Sequence, residues 1–436
     1  MPAGASPFQI ATGSTAWLDT PLIRRAGREV LSLALMDARN HTLQLAAQIE
    51  RGIDLLPAAD HKPECERALW LLGEVAWFQE RWIIRNLQRH SGLKCDPTAA
   101  RLASVWLQSD LWWEDGPPDQ PDRSARQPLP AVPEMRAYLL QTLETTLELL
   151  AHAADTDQGL YFFRLSLLHE DLQAERLVEL AQTLQLPLER PFLEAFAVPA
   201  AAQREPLWLP ACTWLMGSAV SAASGPQASL GFAFDNEQPP HAVPVPEFEI
   251  DAQPVSWSQF VEFVDDGGYD REDLWSAAGW AWLQALAAGE GRRGPRHVEH
   301  IGVASGAVMQ RRFGQATRMS ALQPAMHLSW WEAEAWCRWA GRRLPLEVEW
   351  EMAAETASRR GFRWGDVWEW TASTFRPYPG FVPGPDAAYS QAWFGRAKVL
   401  RGGSTATRTR LKSPRFRRFA EPAQDQLFCG FRSCAL

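Results

Sequence analysis

The N-terminal part of the chain carries a repeated helical pattern of apolar positions. From about Pro21 to Gln185, apolar residues recur every three to four positions in four long segments, and this spacing predicts four helices. A loop rich in Pro and Asp, from about Gly92 to Pro133, separates the second segment from the third. Four long helices with one long crossover are typical of a four-helix bundle, which binds ligands in its core between facing helices.

The pattern changes after about residue 195, where the chain becomes rich in Gly, Pro and Trp, with short apolar runs and long loops. One clear helix is predicted after Ser329, because Ser329 and Glu332 have the spacing of a capping box. We therefore expect a flexible N-terminus at 1–20, a helical bundle at 21–195, a linker at 196–205 and an irregular α+β domain at 206–436.

Composition and charge indicate which kinds of partner and which compartment to expect. The chain has 436 residues and a formal net charge of -9, which gives no reason to expect nucleic acid. We expect a cytoplasmic protein without a membrane partner, because the sequence has no signal-peptide pattern and no apolar run of membrane-spanning length. The six cysteines lack zinc-like spacing and are expected to be free thiols. The basic run from Arg408 to Arg418 is expected to be a solvated face rather than a phosphate or carboxylate site.

Three polar residues lie on or beside apolar helix faces. Apolar residues flank Glu74 three and four positions away on both sides, namely Trp70, Leu71, Trp77 and Phe78. A buried, unpaired carboxylate is costly, so Glu74 needs a partner or a proton. His169 and Gln173 lie four residues apart, hence on one face of the fourth helix. We expect Glu74, His169 and Gln173 to meet in the bundle core.

Phrases in the second half resemble the formylglycine-generating-enzyme-type fold. They run in order from FDNEQPPHAVPVPEFEID at residue 234, through PAMHLSWWEAEAWCRWAGRRLPLEVEWEMAA and VLRGGSTATR, to FCGFRSC at residue 428. The resemblance implies a compact, C-type-lectin-like α+β domain with little regular structure over about residues 206–436. No cysteine pair follows RGGS, so cysteine-based sulfatase activation is not expected.

Joined to a DinB-like helical bundle, this domain resembles the ergothioneine-biosynthesis sulfoxide synthases. WAWLQ and PYPGF fit that family, whereas LSLALMDARNHTL and AWFQERWIIRN are closer to its selenoneine synthase branch. The resemblance implies O2-dependent formation of a C–S or C–Se bond on the imidazole of trimethylhistidine, at a mononuclear non-haem iron(II). The implied donor is a cysteine-type thiol or a selenosugar.

The family binds its iron, Fe(2+), through three His, and only one of the three matching positions here is His. Those positions are Glu74, His169 and Gln173. One interpretation is that the three side chains hold Fe(2+) or another divalent metal. A second is a hydrogen-bonded pair of Glu74 and His169, completed by Gln173, in a metal-free small-molecule-binding or partner-binding relative. A third is that rotated helices give them unrelated roles. The second is favoured locally, because amide oxygen is a poor iron ligand.

Charges beside these positions could substitute as ligands, although a solvated helix surface is favoured for them: Glu170, Asp171 and Glu175. The resemblance also implies a proton-donating tyrosine, for which Tyr378 in PYPGF is the candidate. Asp425 could meet a cationic substrate group and Arg432 a carboxylate, with a structural salt bridge as the alternative for each.

Aromatic side chains could bind a trimethylammonium group by cation–π attraction, or could simply belong to the core. The candidates are Trp77, Phe78, Trp393 and Phe428. His327, just before the predicted helix at Ser329, is expected to make a structural hydrogen bond.

Overall fold

The computed structural model describes residues 18–54, 62–114, 128–218, 231–302 and 307–436. Its N-terminal part consists of α1 (Arg28–Asp54), α2 (Lys62–Gln79), α3 (Ser109–Trp113), α4 (Val132–Ala151), α5 (Asp157–Thr183) and α6 (Arg190–Ala195). The four predicted long helices are present, and α1 and α2 each pack against both α4 and α5. The second, α2, passes into a π-helical turn at Glu80–Ile84. Most of the N-terminus predicted to be flexible, residues 1–17, lies outside the described residues.

The C-terminal part contains many short elements. They are β1 (Leu207–Leu209), β2 (Cys212–Met216), β3 (His241–Val245), β4 (Phe248–Ile250), α7 (Trp257–Asp265), α8 (Ala277–Glu290), β5 (Val298–Ile301), β6 (Val308–Arg312), β7 (Gln315–Met319), α9 (Trp330–Trp339), α10 (Glu347–Thr356), β8 (Trp368–Thr374), α11 (Ala388–Gln391), β9 (Lys398–Gly402), β10 (Arg418–Ala420) and β11 (Cys429–Phe431). The predicted capping box begins α9, where the Ser329 main-chain N–H donates to Glu332 Oε2 at 2.7 Å.

Four sheets organise these strands. The largest has the order β10-β9-β8-β11, with β8 and β11 parallel and the other pairs antiparallel. The strands β5, β6 and β7 form an antiparallel sheet, and β1 pairs with β4 as β2 pairs with β3. Several tryptophans of this part are fully buried, as expected for core residues: Trp257, Trp350, Trp368 and Trp370.

None of the helices in the described ranges is long and apolar enough to cross a bilayer. The cysteines with described side chains are free thiols, as predicted, namely Cys95, Cys212, Cys337, Cys429 and Cys434. The side chain of Cys65 lies outside the description.

The carboxylates that follow His169 on α5 are buried. The prediction that Glu170, Asp171 and Glu175 are solvated is wrong, because each is at most 2% exposed. Arg39 on α1 pairs with Glu170, with Nε 2.8 Å from Oε1. Arg410 donates to both oxygens of Asp171, at 2.6 and 2.7 Å. Each of these two carboxylates therefore serves a structural ion pair.

The basic run from Arg408 to Arg418 was predicted to be a solvated face, and this is also wrong. Arg410 and Arg417 are fully buried, and Arg418 donates to Glu179 at 2.7 Å. Desolvating an ion costs several kcal/mol, which only well-aligned partners can offset. Arg410 and Arg418 find such partners on α5, so their buried ion pairs hold the bundle against the C-terminal part, whereas Arg417 pairs with Glu347 on α10.

We expect Arg410→Met to lower the free energy of unfolding by about 3–5 kcal/mol, because it leaves Asp171 buried without its bidentate partner. Chemical denaturation measures this loss. The double variant Arg410→Met/Asp171→Leu should recover much of it, since both charges are then removed. Arg190→Met, which breaks the exposed pair with Glu194, is the control and should cost less than about 1 kcal/mol. A double variant no more stable than Arg410→Met would contradict this account.

Candidate functional site

The candidate site is centred on His169, in the middle of α5. Gln173 lies one turn further along the helix, and its amide Nε2 is 3.0 Å from His169 Nε2. Arg176 donates to the amide oxygen of Gln173 at 3.2 Å, which orients the amide NH2 towards the imidazole. An amide NH2 can only donate, so in the neutral imidazole Nε2 accepts and the proton resides on Nδ1.

Glu74 and Phe78, one turn apart on α2, complete this cluster. Glu74 Oε1 is 3.8 Å from His169 Nε2, which is too long for a hydrogen bond but close enough for an electrostatic contact. Glu74 Oε2 is buried and has no hydrogen-bond partner among the described residues. The Phe78 ring is stacked on the imidazole, with centroids 3.7 Å apart and planes inclined by 6°. The cluster thus combines a stacked aromatic contact to the imidazole with a carboxylate oxygen that lacks a hydrogen-bond partner among the described residues.

The C-terminal part adds Asp386, from the loop before α11. Asp386 is surrounded by protein but keeps some accessible surface, as expected for a group that lines a cleft. Burial raises the pKa of Asp386 to about 6; Asp235 and Glu74 add to this shift, whereas a protonated His169 opposes it. The carboxylates of Glu74 and Asp235 therefore lie close enough to Asp386 to act on its charge.

Asp235 and Tyr161 also lie close to Asp386. Ser390 donates to Asp235 Oδ1 at 2.6 Å, and burial raises the Asp235 pKa. Tyr161 lies on α5 two turns before His169. Burial, followed by the charges of Asp235 and Asp386, raises the pKa of its hydroxyl, which stays protonated at neutral pH. Here, junction cavity denotes the polar region made up of these side chains and their neighbours, namely Glu74, Phe78, Tyr161, His169, Gln173, Asp235 and Asp386.

The arrangement does not fit a three-imidazole iron centre. Within the described ranges, no group of three His, Cys, Asp or Glu side chains has an arrangement that could hold a metal ion. Gln173 presents its amide nitrogen, which is not a metal donor, to the imidazole nitrogen that a metal would need. The third interpretation from the sequence, unrelated roles on rotated helices, is wrong, because the three side chains do meet.

Comparisons with known proteins place the chain in a family. A family model described as the Sulfatase-modifying factor enzyme 1-like domain matches residues 196–366 and 361–435. A Hercynine oxygenase of Mycobacterium tuberculosis is 33% identical over 453 residues, covering 93% of this chain and 98% of the relative. The chain belongs to the hercynine oxygenase family.

Two further relatives agree with this assignment. A Hercynine oxygenase of Mycolicibacterium smegmatis is 29% identical over 93% of this chain and 98% of its own. A Formylglycine-generating enzyme of Streptomyces coelicolor is 28% identical over 42% of this chain and 75% of its own. The predicted membership of the ergothioneine-biosynthesis family and the formylglycine-generating-enzyme-type domain are confirmed. The DinB-like character of the bundle, the domain boundaries and the selenoneine branch stay predictions.

Tyr378 lies elsewhere in the C-terminal part. Its hydroxyl accepts from Arg401 at 3.2 Å, and the Arg417 guanidinium lies 4.0 Å from its ring centroid. Burial raises the pKa of the hydroxyl. These contacts give Tyr378 a place in the core rather than in the junction cavity.

For Asp425 and Arg432 the structure supports the alternative of a salt bridge. Asp425 accepts from Arg292 and Arg296, each at 2.5 Å. Arg432 is fully buried and donates to both oxygens of Glu369, one of them at 2.7 Å. Their charges are therefore already paired within the protein.

Of the four candidate aromatic residues, only Phe78 contacts the His169 cluster, and its ring is covered by the imidazole. Trp77 donates to Asp110 at 2.8 Å. Trp393 packs near Phe419 in a separate hydrophobic cluster, and Phe428 is 1% exposed beside His327. Trp77, Trp393 and Phe428 thus have the packing roles that the sequence left open.

Sequence reasoning missed Asp386, Asp235, Tyr161 and Arg176. Helical spacing could have identified Arg176, which is three residues after Gln173. Tyr161 likewise lies on the His169 helix, but nothing in its local pattern marks it. Asp386 and Asp235 lie in irregular segments with no periodicity, so only the tertiary fold brings them to the cavity.

We expect Asp386→Asn to stabilise the protein more at pH 7.5 than at pH 5. The folded-state pKa of about 6 exceeds the ordinary value of 3.8, so the folded protein loses stability through this group as pH rises from about 4 to 6. Asn removes that loss. Urea denaturation of both proteins at the two pH values measures the difference. Asp270→Asn, at a largely exposed side chain, is the control. A gain for Asp386→Asn that is the same at both pH values would refute the assignment.

Proposed function

We propose that this protein joins sulfur or selenium to the imidazole of trimethylhistidine, using O2. For a thiol donor, the imidazole C–H, the S–H and O2 give a C–S-bonded sulfoxide and one water; a selenol gives the selenoxide in the same balance. Membership of the hercynine oxygenase family over nearly the whole chain supports this reaction type. The observation that carries the substrate class is the set of three carboxylates of the junction cavity.

Trimethylhistidine carries a fixed positive charge, which suits such a site. Glu74 Oε2 has no hydrogen-bond partner in the described structure. Burial raises the pKa of Asp386, so its charged form is destabilised there. A quaternary ammonium cannot donate hydrogen bonds, so attraction to carboxylates and aromatic faces must hold it. We infer that Asp386 and Glu74 attract the ammonium group, while the neutral Tyr161 hydroxyl is available to the polar end of the substrate.

The iron that the family implies does not match the residues present at this site. In the family, iron would supply O2 activation, but Glu74, His169 and Gln173 as arranged do not offer a fitting ligand set. The specific contact between the Gln173 amide NH2 and His169 Nε2 favours a second candidate function. In that candidate, the protein is a metal-free relative that binds the same class of small cation without oxidising it.

Metal loading and turnover distinguish the two functions. Purified protein, loaded anaerobically with Fe(2+), is assayed for bound iron. It is then given O2, trimethylhistidine and, in turn, cysteine, γ-glutamylcysteine and a selenosugar, with products identified by mass spectrometry. The proposed synthase activity predicts product with at least one donor, and a selenosugar preference would place the protein in the selenoneine branch. No product with any donor would overturn it.

Glu74→His/Gln173→His is the informative variant, because it replaces both non-His positions at once. If it gains stoichiometric iron and turnover while the native chain shows neither, the metal-free candidate is supported. The single variant Gln173→His is its matched control, since it removes the amide from His169 but leaves the carboxylate.

Binding can be tested without turnover. We expect Asp386→Asn to weaken trimethylhistidine binding about tenfold, the equivalent of roughly 1.4 kcal/mol, by calorimetric titration at pH 7.5. Binding to the native chain should weaken as pH falls from 7.5 to 5, because Asp386 takes up a proton near pH 6. Tyr378→Phe, outside the cavity, should bind normally. Equal affinity of Asp386→Asn and native protein would remove Asp386 from the site.

A further inference from the structure

A second polar region lies between the β5-β6-β7 sheet and the segment before α9. His327 is fully buried, and neither of its ring nitrogens has a hydrogen-bond partner in the part of the chain that the structure describes. The main chain of Leu427 approaches the ring without meeting hydrogen-bond geometry. His297 lies edge-on to it, with ring centroids 4.9 Å apart. The hydrogen bond predicted for His327 is therefore reduced to this weaker main-chain contact, and the buried imidazole lacks a partner of normal geometry among the described residues.

The proton position on His297 follows from its partner. Gln185 accepts the main-chain N–H of Gly314 through its amide oxygen, so its NH2 is the group that meets His297 Nδ1 at 2.9 Å. His297 Nδ1 therefore accepts, and the neutral ring carries its proton on Nε2. That buried Nε2–H has no acceptor among the described groups.

The strand β6 supplies two more unsatisfied groups. Gln310 and Arg312 are two residues apart and so lie on one face of the strand. Gln310 is fully buried, and neither atom of its amide has a partner within the described ranges. Val298, the neighbour of His297 in sequence, pairs with Gln310 across the sheet, and Arg312 acts electrostatically on His327. His297, His327 and Arg312 thus lie close enough to act on one another, and Gln310 lies on the same strand face as Arg312.

Arg312 gives this region its charge. One guanidinium nitrogen donates to the Phe196 carbonyl at 2.9 Å, whereas Nε is buried without a partner in the described structure. Burial lowers its pKa, and no carboxylate in the described part of the chain counters the shift, in contrast to the paired arginines Arg410 and Arg418. The Arg312 side chain is partly buried, and a partly buried cation without a counter-charge among the described residues favours an anion at this place.

We propose that His297, His327, Gln310 and Arg312 form a binding site for a small monovalent anion of halide size. A metal cation is disfavoured despite the two neutral imidazoles, because Arg312 repels it. Water alone could satisfy the hydrogen bonds but would leave the guanidinium charge uncompensated. A single small anion accepts from the N–H groups and neutralises Arg312 at once. The site is separate from the junction cavity, since it lies beyond the C-terminal end of α5, where Gln182 donates to the Arg311 carbonyl.

Bromide is the probe for this site. At constant ionic strength, replacing gluconate by bromide should raise the thermal unfolding midpoint of the native protein saturably, by about 2–4 °C for each tenfold increase above half-saturation. Crystals grown in bromide should show an anomalous peak between the two imidazoles and Arg312. No bromide-specific rise and no peak would overturn the proposal in favour of a water-filled site.

Variants separate this site from general salt effects. Arg312→Gln should lose the bromide response, and Gln310→Leu, which keeps the charge but removes two polar atoms, should weaken it at least severalfold. Arg311→Gln is the matched control, because Arg311 neighbours Arg312 but forms an exposed pair with Glu299. Its response should equal that of the native protein. A response retained in both Arg312→Gln and Gln310→Leu would refute the assignment.

Discussion

The structure depends on buried ion pairs that join α5 to the C-terminal part. Asp171 and Glu179 on that helix meet Arg410 and Arg418 of the basic segment, and all four charges are largely removed from water. Such pairs tolerate little displacement, because a misplaced partner leaves an unpaired charge in the protein interior. They therefore fix the rotation and the height of α5, and with them the direction in which His169 points.

This constraint explains why the junction cavity can hold groups that are individually unfavourable. Glu74, with an oxygen that has no partner among the described residues, and Asp386, with a raised carboxyl pKa, come from opposite halves of the chain. Neither would be stable in a loosely packed interface. The ion pairs on α5 hold the two halves together, and this packing keeps the unfavourable carboxylates of Glu74 and Asp386 in place. Strain of this kind is typical of binding sites, where a ligand of opposite charge relieves it.

Elsewhere in the protein, paired and unpaired charges also occupy different places. The charges of Asp425 and Arg432 are paired with neighbouring residues, so both side chains act in the scaffold. Arg312 and the two imidazoles near it are not saturated by the described residues. The proposed functions of this chain therefore rest on unmet hydrogen bonds and unpaired charge rather than on motif membership alone.

The sequence by itself determined the helical segments, the family and the meeting of three side chains. Helical periodicity is local, so Glu74, His169 and Gln173 could be assigned to inward faces, and motifs in fixed order are specific enough to identify the C-terminal domain. Tertiary structure decided the rest. Whether Glu170 and Asp171 face water or an arginine depends on segments more than 100 residues away. Asp386 enters the cavity from an irregular loop, and Arg176 decides which end of the Gln173 amide meets His169. Long-range electrostatics of this kind leaves no periodic trace in a sequence, because the partner of each charge is set by the packing of distant elements.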